Sequence, residues 1–314
     1  MRTIAITGAA GFIGRSLVTD WQAKANLRPI VRHAAGETGR VAIGDIGPQT
    51  DWAAALEGVD AVVHCAGRAH VLDESEADPL ARYRQVNRDG TLHLAHSAAK
   101  AGVRRIVFLS SVGVMGKQKP TDRPFSAFDT PAPVQDYARS KWEAEQGLAE
   151  LSQQSGLETV IVRPPLVYGP GAPANFQRLL RVVDRGIPLP LGLVHAKRSF
   201  VGISNLSEML WACVESPNAK SGTFMVSDGE DLSTANLIRR IAHYMGKRPL
   251  LLPVPLWTLR LGGRLLARTD DVERLLSPLR VAIDHSCDTL GWSPRTSVDR
   301  EIENCVAAFA GGYQ

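Results

Sequence analysis

The chain opens on a β-branched apolar run, Thr3–Thr7, and then places glycines at three-residue spacing, Gly8, Gly11 and Gly14. A short continuous apolar run of this kind reads as a buried parallel strand. Phe12, Ile13 and Leu17 switch to helical spacing, which predicts a helix over about Gly11–Ala25. The alternation then repeats. Strands are expected at Leu27–Val31, Val41–Asp45, Ala61–Ala66, Arg105–Ser110 and Thr159–Arg163. Between them, helices are expected at Trp52–Leu56, at Leu80–Gly102 and from Tyr137 through Leu151. Arg68–Pro79 is acidic and polar and reads as a loop. From about Pro170, prolines and glycines break the pattern into shorter helices at Asn175–Arg185, Asn205–Glu215 and Ser233–Met245, with one short strand at Phe224–Val226. Leu256–Arg268 mixes leucines and Trp257 with arginines in an amphipathic pattern. That pattern suits a helix that covers the lobe or faces a partner, and also one that lies on a membrane surface.

Strands alternating with helices predict an α/β protein: a Rossmann doubly wound parallel sheet with a smaller C-terminal α/β lobe. The expected division is 1–168 for dinucleotide binding and 169–314 for substrate, since 314 residues are many for one core. Thirty-six Lys and Arg against 32 Asp and Glu leave a net charge of +4, spread along the chain without a basic run. No nucleic-acid motif accompanies it, so no nucleic-acid partner is expected. Cys65, Cys213, Cys287 and Cys305 lack metal-ligand spacing, which predicts free thiols in a reducing compartment and no metal. The first strand begins at once, so no signal peptide is expected. No apolar run reaches about 18–20 residues, so no integral membrane segment is expected, and the location is read as cytoplasmic.

The glycine turn carries the first chemistry. Gly8 turns the chain off the strand, Gly11 admits a pyrophosphate close to the backbone, and Gly14 lets the helix pack on the sheet. With Phe12 and Ile13 it forms a helix N-terminus, whose free N–H groups suit phosphate. Arg32 closes the second strand, where an acidic residue would bind an adenosine 2′-hydroxyl. A guanidinium there pairs with a 2′-phosphate, so NADP(H) is favoured over NAD(H). Asp45 and Ile46 are placed to meet the adenine, and Ala66 and Gly67 leave room over the fourth strand. Asn87 interrupts a helix that would not choose it, which implies a structural or catalytic reason.

Ser110 and Ser111 close the fifth strand, and Tyr137 precedes Lys141 by four residues, on one helix face. A phenol with an ordinary pKa near ~10 needs a neighbouring ammonium to act as an acid–base at neutral pH.

These residues resemble the extended short-chain dehydrogenase/reductase family, the nucleotide-sugar epimerases, dehydratases and reductases, over essentially the whole chain. G-A-A-G-F-I-G at Gly8–Gly14 is similar to the family's phosphate turn, and Y-A-R-S-K to its catalytic helix. The resemblance implies Ser111 as the catalytic serine, Tyr137 as acid–base, Lys141 as its partner and holder of the nicotinamide ribose, and Asn87 as a structural asparagine. It implies that Ser110 and Pro164, in R-P-P-L-V-Y-G-P-G, lie along the cofactor, and that Asn175 and Arg198 contact a nucleotide diphosphate. L-G-W-S-P-R at Leu290–Arg295 is similar to the closing segment. The implied substrate is a UDP-sugar acted on at carbon 4. The sugar pocket is expected among Val71–Asp78, Gly113–Arg123 and Gly192–Lys197.

Met115, Arg32 and Asn205 depart from the epimerase pattern, in which an aromatic, an acid and an aspartate are usual. Ser111-Val112-Gly113 also lacks the acidic pair of the 4,6-dehydratases. The second half looks most like reductases of UDP-4-keto-6-deoxy-N-acetylglucosamine in surface-polysaccharide synthesis. A UDP-glucose or UDP-N-acetylglucosamine 4-epimerase with tightly held NAD is the alternative. A homodimer is expected, pairing Leu80–Gly102 and Asp136–Leu151 with their symmetry mates through Trp142 and Leu148.

Overall fold

A computed structural model describes residues 1–33, 38–69, 78–118, 123–173 and 175–312, without the side chain of Asn175. Seven strands form one parallel sheet: β1 (Thr3–Thr7), β2 (Asn26–Val31), β3 (Val41–Ala42), β4 (Ala61–His64), β5 (Arg105–Leu109), β6 (Glu158–Arg163) and β10 (Thr223–Met225). Their order is β3-β2-β1-β4-β5-β6-β10. The order reverses between β1 and β4, so the carboxyl ends of these two strands flank the crevice where such sheets bind ligands. Register is continuous across the centre, with Ile4 opposite Leu27 on one side and Ala61 on the other.

Side chains alternate along each strand, so every central strand feeds two cores. Ile4, Ile6, Val63 and Val107 face one side, under α1 (Phe12–Trp21) and α7 (Ile203–Glu215). Ala5, Val62, Ile106 and Phe108 face the other, under α2 (Ala53–Leu56), α4 (Thr91–Lys100) and α5 (Asp136–Ser155). After Tyr168 the chain therefore comes back to the sheet, with α7 on one face and β10 at an edge.

The remaining elements make the second lobe. Two strand pairs, β7 (Leu166–Tyr168) with β9 (Phe200–Gly202) and β8 (Lys197–Arg198) with β11 (Leu232–Ser233), frame it. Its core joins Phe176, Ile238, Ile241 and Ile302, from α6 (Asn175–Asp184), α8 (Thr234–Tyr244) and α12 (Val298–Ala310). A hairpin of α9 (Leu256–Leu265) and α10 (Thr269–Leu276) and the short α11 (Asp284–Leu290) complete the chain. No described helix is long and apolar enough to cross a membrane.

The expected helix Leu80–Gly102 is not uniform. α3 (Pro79–Tyr83) runs into a π-helical segment, Arg84–Gly90, before α4. Asn87 sits inside that segment, fully buried. The extra residue per turn rotates it inward, a use typical of π segments at functional sites. Asn205 also has a physical reason. Its Oδ1 accepts from the Arg295 and Thr296 N–H groups, while its Nδ2 donates to Asp228 and to the Thr296 carbonyl. An aspartate could not do both.

Helix α1 leaves no space at its base. A Cβ on Gly14 would overlap the carbonyl oxygen of Gly8, and Gly8 itself has φ +67°. Gly14→Ala should therefore push α1 off the turn and cost about 1–3 kcal/mol. Urea denaturation of the variant against wild type measures this; equal stability would show that the helix gives way freely.

Candidate active site

The site is assembled at the carboxyl ends of β1, β4 and β5. A cavity of about 1110 Å³ is lined there by Gly8, Gly11, Arg32, Asp45, Ala66 and Gly67, among others, with Ile46 on its wall. Gly11 offers it bare backbone, and the first-turn N–H groups of α1 have no intrahelical acceptors. This is a fit for a dinucleotide: a side-chain-free turn and orphan donors facing one groove. The side chains of Phe12 and Ile13 do not line it; they pack onto the cores, so they can contribute only their N–H groups. Arg32 and Asp45 are both exposed at the rim and pair with each other at 2.9 Å. An exposed pair of this kind is worth little and opens readily.

Tyr137 and Lys141 lie one turn apart on α5, as their spacing requires. Lys141 is buried. Its Nζ donates to the Leu109 carbonyl at 2.9 Å and lies 4.3 Å from the Phe108 ring centre. Burial pushes this ammonium down to about 8, against small opposing effects of Cys65 and Glu145. Tyr137 meets Tyr83 edge to face. Burial, helped by Tyr83, pushes the phenol up to about 12. This differs from the lowered value expected beside a lysine: Lys141 points at the Leu109 carbonyl, and desolvation governs the phenol.

Ser111 and Ser110 divide the work at the end of β5. Ser111 caps the 3₁₀ turn Val112–Met115, its Oγ accepting from Gly113 N at 3.0 Å. The Ser110 hydroxyl is buried and donates to Glu145 at 2.5 Å, so it is engaged with α5. Pro164 is also buried, and its carbonyl accepts from Val112 N at 2.9 Å. Asn87 binds the chain after β4 with both ends of its amide, Oδ1 accepting from Arg68 N and Nδ2 donating to Arg68 O. The same Nδ2 donates to Ser140 on α5. A Cβ on Gly67 would lie 3.1 Å from Asn87 Oδ1 and 3.4 Å from Lys141 Nζ, so the three residues are packed into one corner.

Arg198 lies in β8 with its guanidinium donating to the Arg274 and Ser277 carbonyls at 2.5 and 2.8 Å, and burial, with Arg274 nearby, lowers its pKa. The Asn175 side chain and the loop stretches 70–77 and 119–122 are outside the described residues.

Two groups escaped the sequence reading. Glu145 is fully buried and bound by Arg163, from Nε and from Nη2 at 2.5 Å. It continues the Tyr137, Lys141 series by one more turn, and that i, i+4, i+8 spacing was its signal. His64 sits between the Thr7 and Thr91 hydroxyls at 2.7 and 2.9 Å. Burial, with Lys141 adding, pushes it down to about 3, so it is neutral. Nothing in the strand A-V-V-H marks it as more than a buried residue.

A glycine-turn groove beside a tyrosine–lysine pair defines a dinucleotide-dependent oxidoreductase. Residues 4–226 match the NAD dependent epimerase/dehydratase family, and the chain belongs to it. A UDP-glucose 4-epimerase of Vibrio cholerae is 42% identical over 98% of this chain and 95% of its own. Among solved structures, MoeE5 in complex with UDP-glucuronic acid and NAD is 24% identical, with TM-score 0.80 over 98% of this chain and 99% of that one. RMD from Pseudomonas aeruginosa complexed with NADPH is 20% identical, with TM-score 0.76 over 99% and 100%. The similarity to a 4-epimerase runs against the resemblance to 4-keto reductases.

The lowered Lys141 has a measurable consequence. At neutral pH the folded chain buries an ammonium that the unfolded chain exposes, which costs stability. Between about pH 8 and about 10 the folded form has lost this proton and the unfolded form has not, so the Lys141 contribution rises with pH. Lys141→Met should gain on the order of 1–3 kcal/mol at neutral pH and flatten the stability profile in that window. Denaturant midpoints across the range test it; an unchanged slope would refute the assignment.

Proposed function

We propose that the protein inverts carbon 4 of a UDP-hexose. The observation that carries this reading is the Tyr137–Lys141 pair on α5: Lys141 abuts Gly67, which lines the dinucleotide groove, and Ala138, next to Tyr137, meets Ser111 at Gly113. The likeness over nearly the full length to a UDP-glucose 4-epimerase supports it. When bound, the dinucleotide supplies reversible hydride transfer. Tyr137 moves the proton of the 4-hydroxyl, and Lys141, one turn along α5, would hold the nicotinamide ribose. Ser111 hydrogen-bonds the same sugar oxygen and holds it toward the phenol. Arg198 supplies charge for the diphosphate. On this reading the enzyme works in the cytoplasm. The homodimer expected from the sequence stays with it, but by another surface: Leu148 is in the core and Trp142 is half-buried against a separate cluster around Val114 and Met115, so a face on α5 would use residues such as Gln146, Ala149 and Glu150.

Arg32 favours a second reading, one-way reduction of a UDP-4-keto-6-deoxy-N-acetylhexosamine with exchangeable NADPH. A guanidinium at the rim suits a 2′-phosphate, and proteins of this fold hold either NAD or NADPH.

Two assays separate the readings. Purified protein converts UDP-glucose or UDP-N-acetylglucosamine to its 4-epimer with no added cofactor if it is an epimerase. NADPH consumption with the 4-keto sugar alone would replace that reading with the reductase. In either assay Tyr137→Phe should lose about 10²–10⁴-fold in kcat with substrate binding nearly intact. Retention of activity within about tenfold would remove Tyr137 as the acid–base. Arg32→Asp should shift preference from NADPH toward NADH by about 5–150-fold, one charge-assisted contact, read from dissociation constants by fluorescence titration. An unchanged ratio would mean that Arg32 does not meet the 2′ position.

A further inference from the structure

Helix α9 does not cover the lobe. Trp257 is 66% exposed, Leu261 50% and Leu265 78%, and the three follow one another at i, i+4 and i+8. That spacing sets them in a single stripe on the outer face. Leu266, at 74%, extends the stripe past the helix end, and Leu250 and Leu252 are exposed just upstream. The opposite side of α9 is occupied: Gly263 packs so tightly on α10 that a Cβ would lie 2.8 Å from Val272. The stripe therefore has no partner within the described residues.

The charge carried by its own segment has one sign. Met245–Arg268 contains Lys247, Arg248, Arg260, Arg264 and Arg268, and no Asp or Glu. Arg260 and Arg264 form the row beside the apolar stripe, also spaced i, i+4. Acidic residues come only from neighbouring elements. Glu273 pairs with Arg260, Asp271 with Arg268 and Asp184 with Lys247, all exposed pairs. Asp270 begins α10.

We propose that the outer face of α9 docks on an anionic membrane surface. The stripe enters the boundary between headgroups and acyl chains, and Arg260 and Arg264 reach the lipid phosphates while their stems lie along it. The indole of Trp257, apolar with one polar N–H, suits that boundary. Charge decides against a second copy of the chain. A two-fold contact is self-complementary, so it would bring the arginine row of one protomer against that of the other. The face is also held rigidly for docking. Leu189 N donates to Leu250 O, Leu252 N to Leu189 O and Gly192 N to Leu252 O, at 2.8, 2.8 and 2.9 Å. The far end of the hairpin is bound by Arg198 through the Arg274 and Ser277 carbonyls.

The test uses the full chain with vesicles of phosphatidylcholine alone and with about one-third phosphatidylglycerol. Wild type should sediment with the anionic vesicles, be released by high salt, and shift Trp257 emission to shorter wavelength on binding. The triple variant Trp257→Ser, Leu261→Ser, Leu265→Ser should stay in the supernatant. The pair Arg260→Gln, Arg264→Gln should lose about tenfold or more in partition. All five side chains are on the surface, so circular dichroism and melting should match wild type. The proposal fails if wild type ignores both vesicles, or if the triple variant sediments as wild type does. It fails equally if wild type is a dimer that the triple variant breaks without any vesicle uptake, because the face would then be a self-interface. None of these outcomes depends on which sugar the enzyme takes.

Discussion

A buried ion pair sets the position of the helix that carries Tyr137 and Lys141. Glu145 and Arg163 are both withdrawn from water, with side chains 1% and 4% exposed. A charge in such a place is tolerable only with its partner and further hydrogen bonds, and removing one member of such a pair typically costs about 3–5 kcal/mol. Here the further bonds come from Ser110 to Glu145 and from Arg163 to the Met115 sulfur, and the guanidinium faces the Trp142 ring. Each member belongs to a different element: Glu145 to α5, Ser110 to the end of β5, Arg163 to the end of β6. The carboxylate thus draws one helix face onto two strand ends. Tyr137 and Lys141 share that face, so their positions are fixed by a fully buried carboxylate two turns beyond Tyr137 along α5.

A second tie works from the other side. The π segment turns Asn87 inward, and its amide joins the chain after β4 to Ser140 on α5. Gly67 fills the remaining space by having no side chain. With α5 held by Glu145 below and Asn87 beside it, the groove for the dinucleotide and the tyrosine–lysine pair are parts of one rigid corner. A catalytic geometry gains from such support because small displacements of a reacting group are costly in rate.

The fold was largely readable from the chain. A parallel strand buried on both faces must be apolar throughout, so β1, β4, β5 and β6 stood out. The glycine turn was readable because only glycine satisfies its backbone, and the tyrosine–lysine pair because helical spacing makes neighbours of residues four apart. What stayed hidden depends on pairing across the chain. Arg163 and Glu145 are 18 residues apart and look like surface charges until β6 and α5 are stacked. Ser110 and Ser111 are adjacent and chemically equal, and only the strand's exit direction sends one inward. Leu148 looked like interface and lies in the core, because α5 presents its apolar side to the sheet. The direction of the Tyr137 shift was missed because charge proximity was inferred from spacing, whereas the lysine's donor direction is set by the Leu109 carbonyl.

His64 lies next to this machinery and carries a consequence for reading its kinetics. Wedged between two hydroxyls and kept uncharged down to about pH 3, it is a fixed dipole rather than a titrating group. An acid limb near the ordinary imidazole value in a pH–rate profile is the usual signature of a catalytic histidine. His64 would not supply such a limb: held between Thr7 and Thr91, the buried imidazole adds no charge beside Lys141 across the working range.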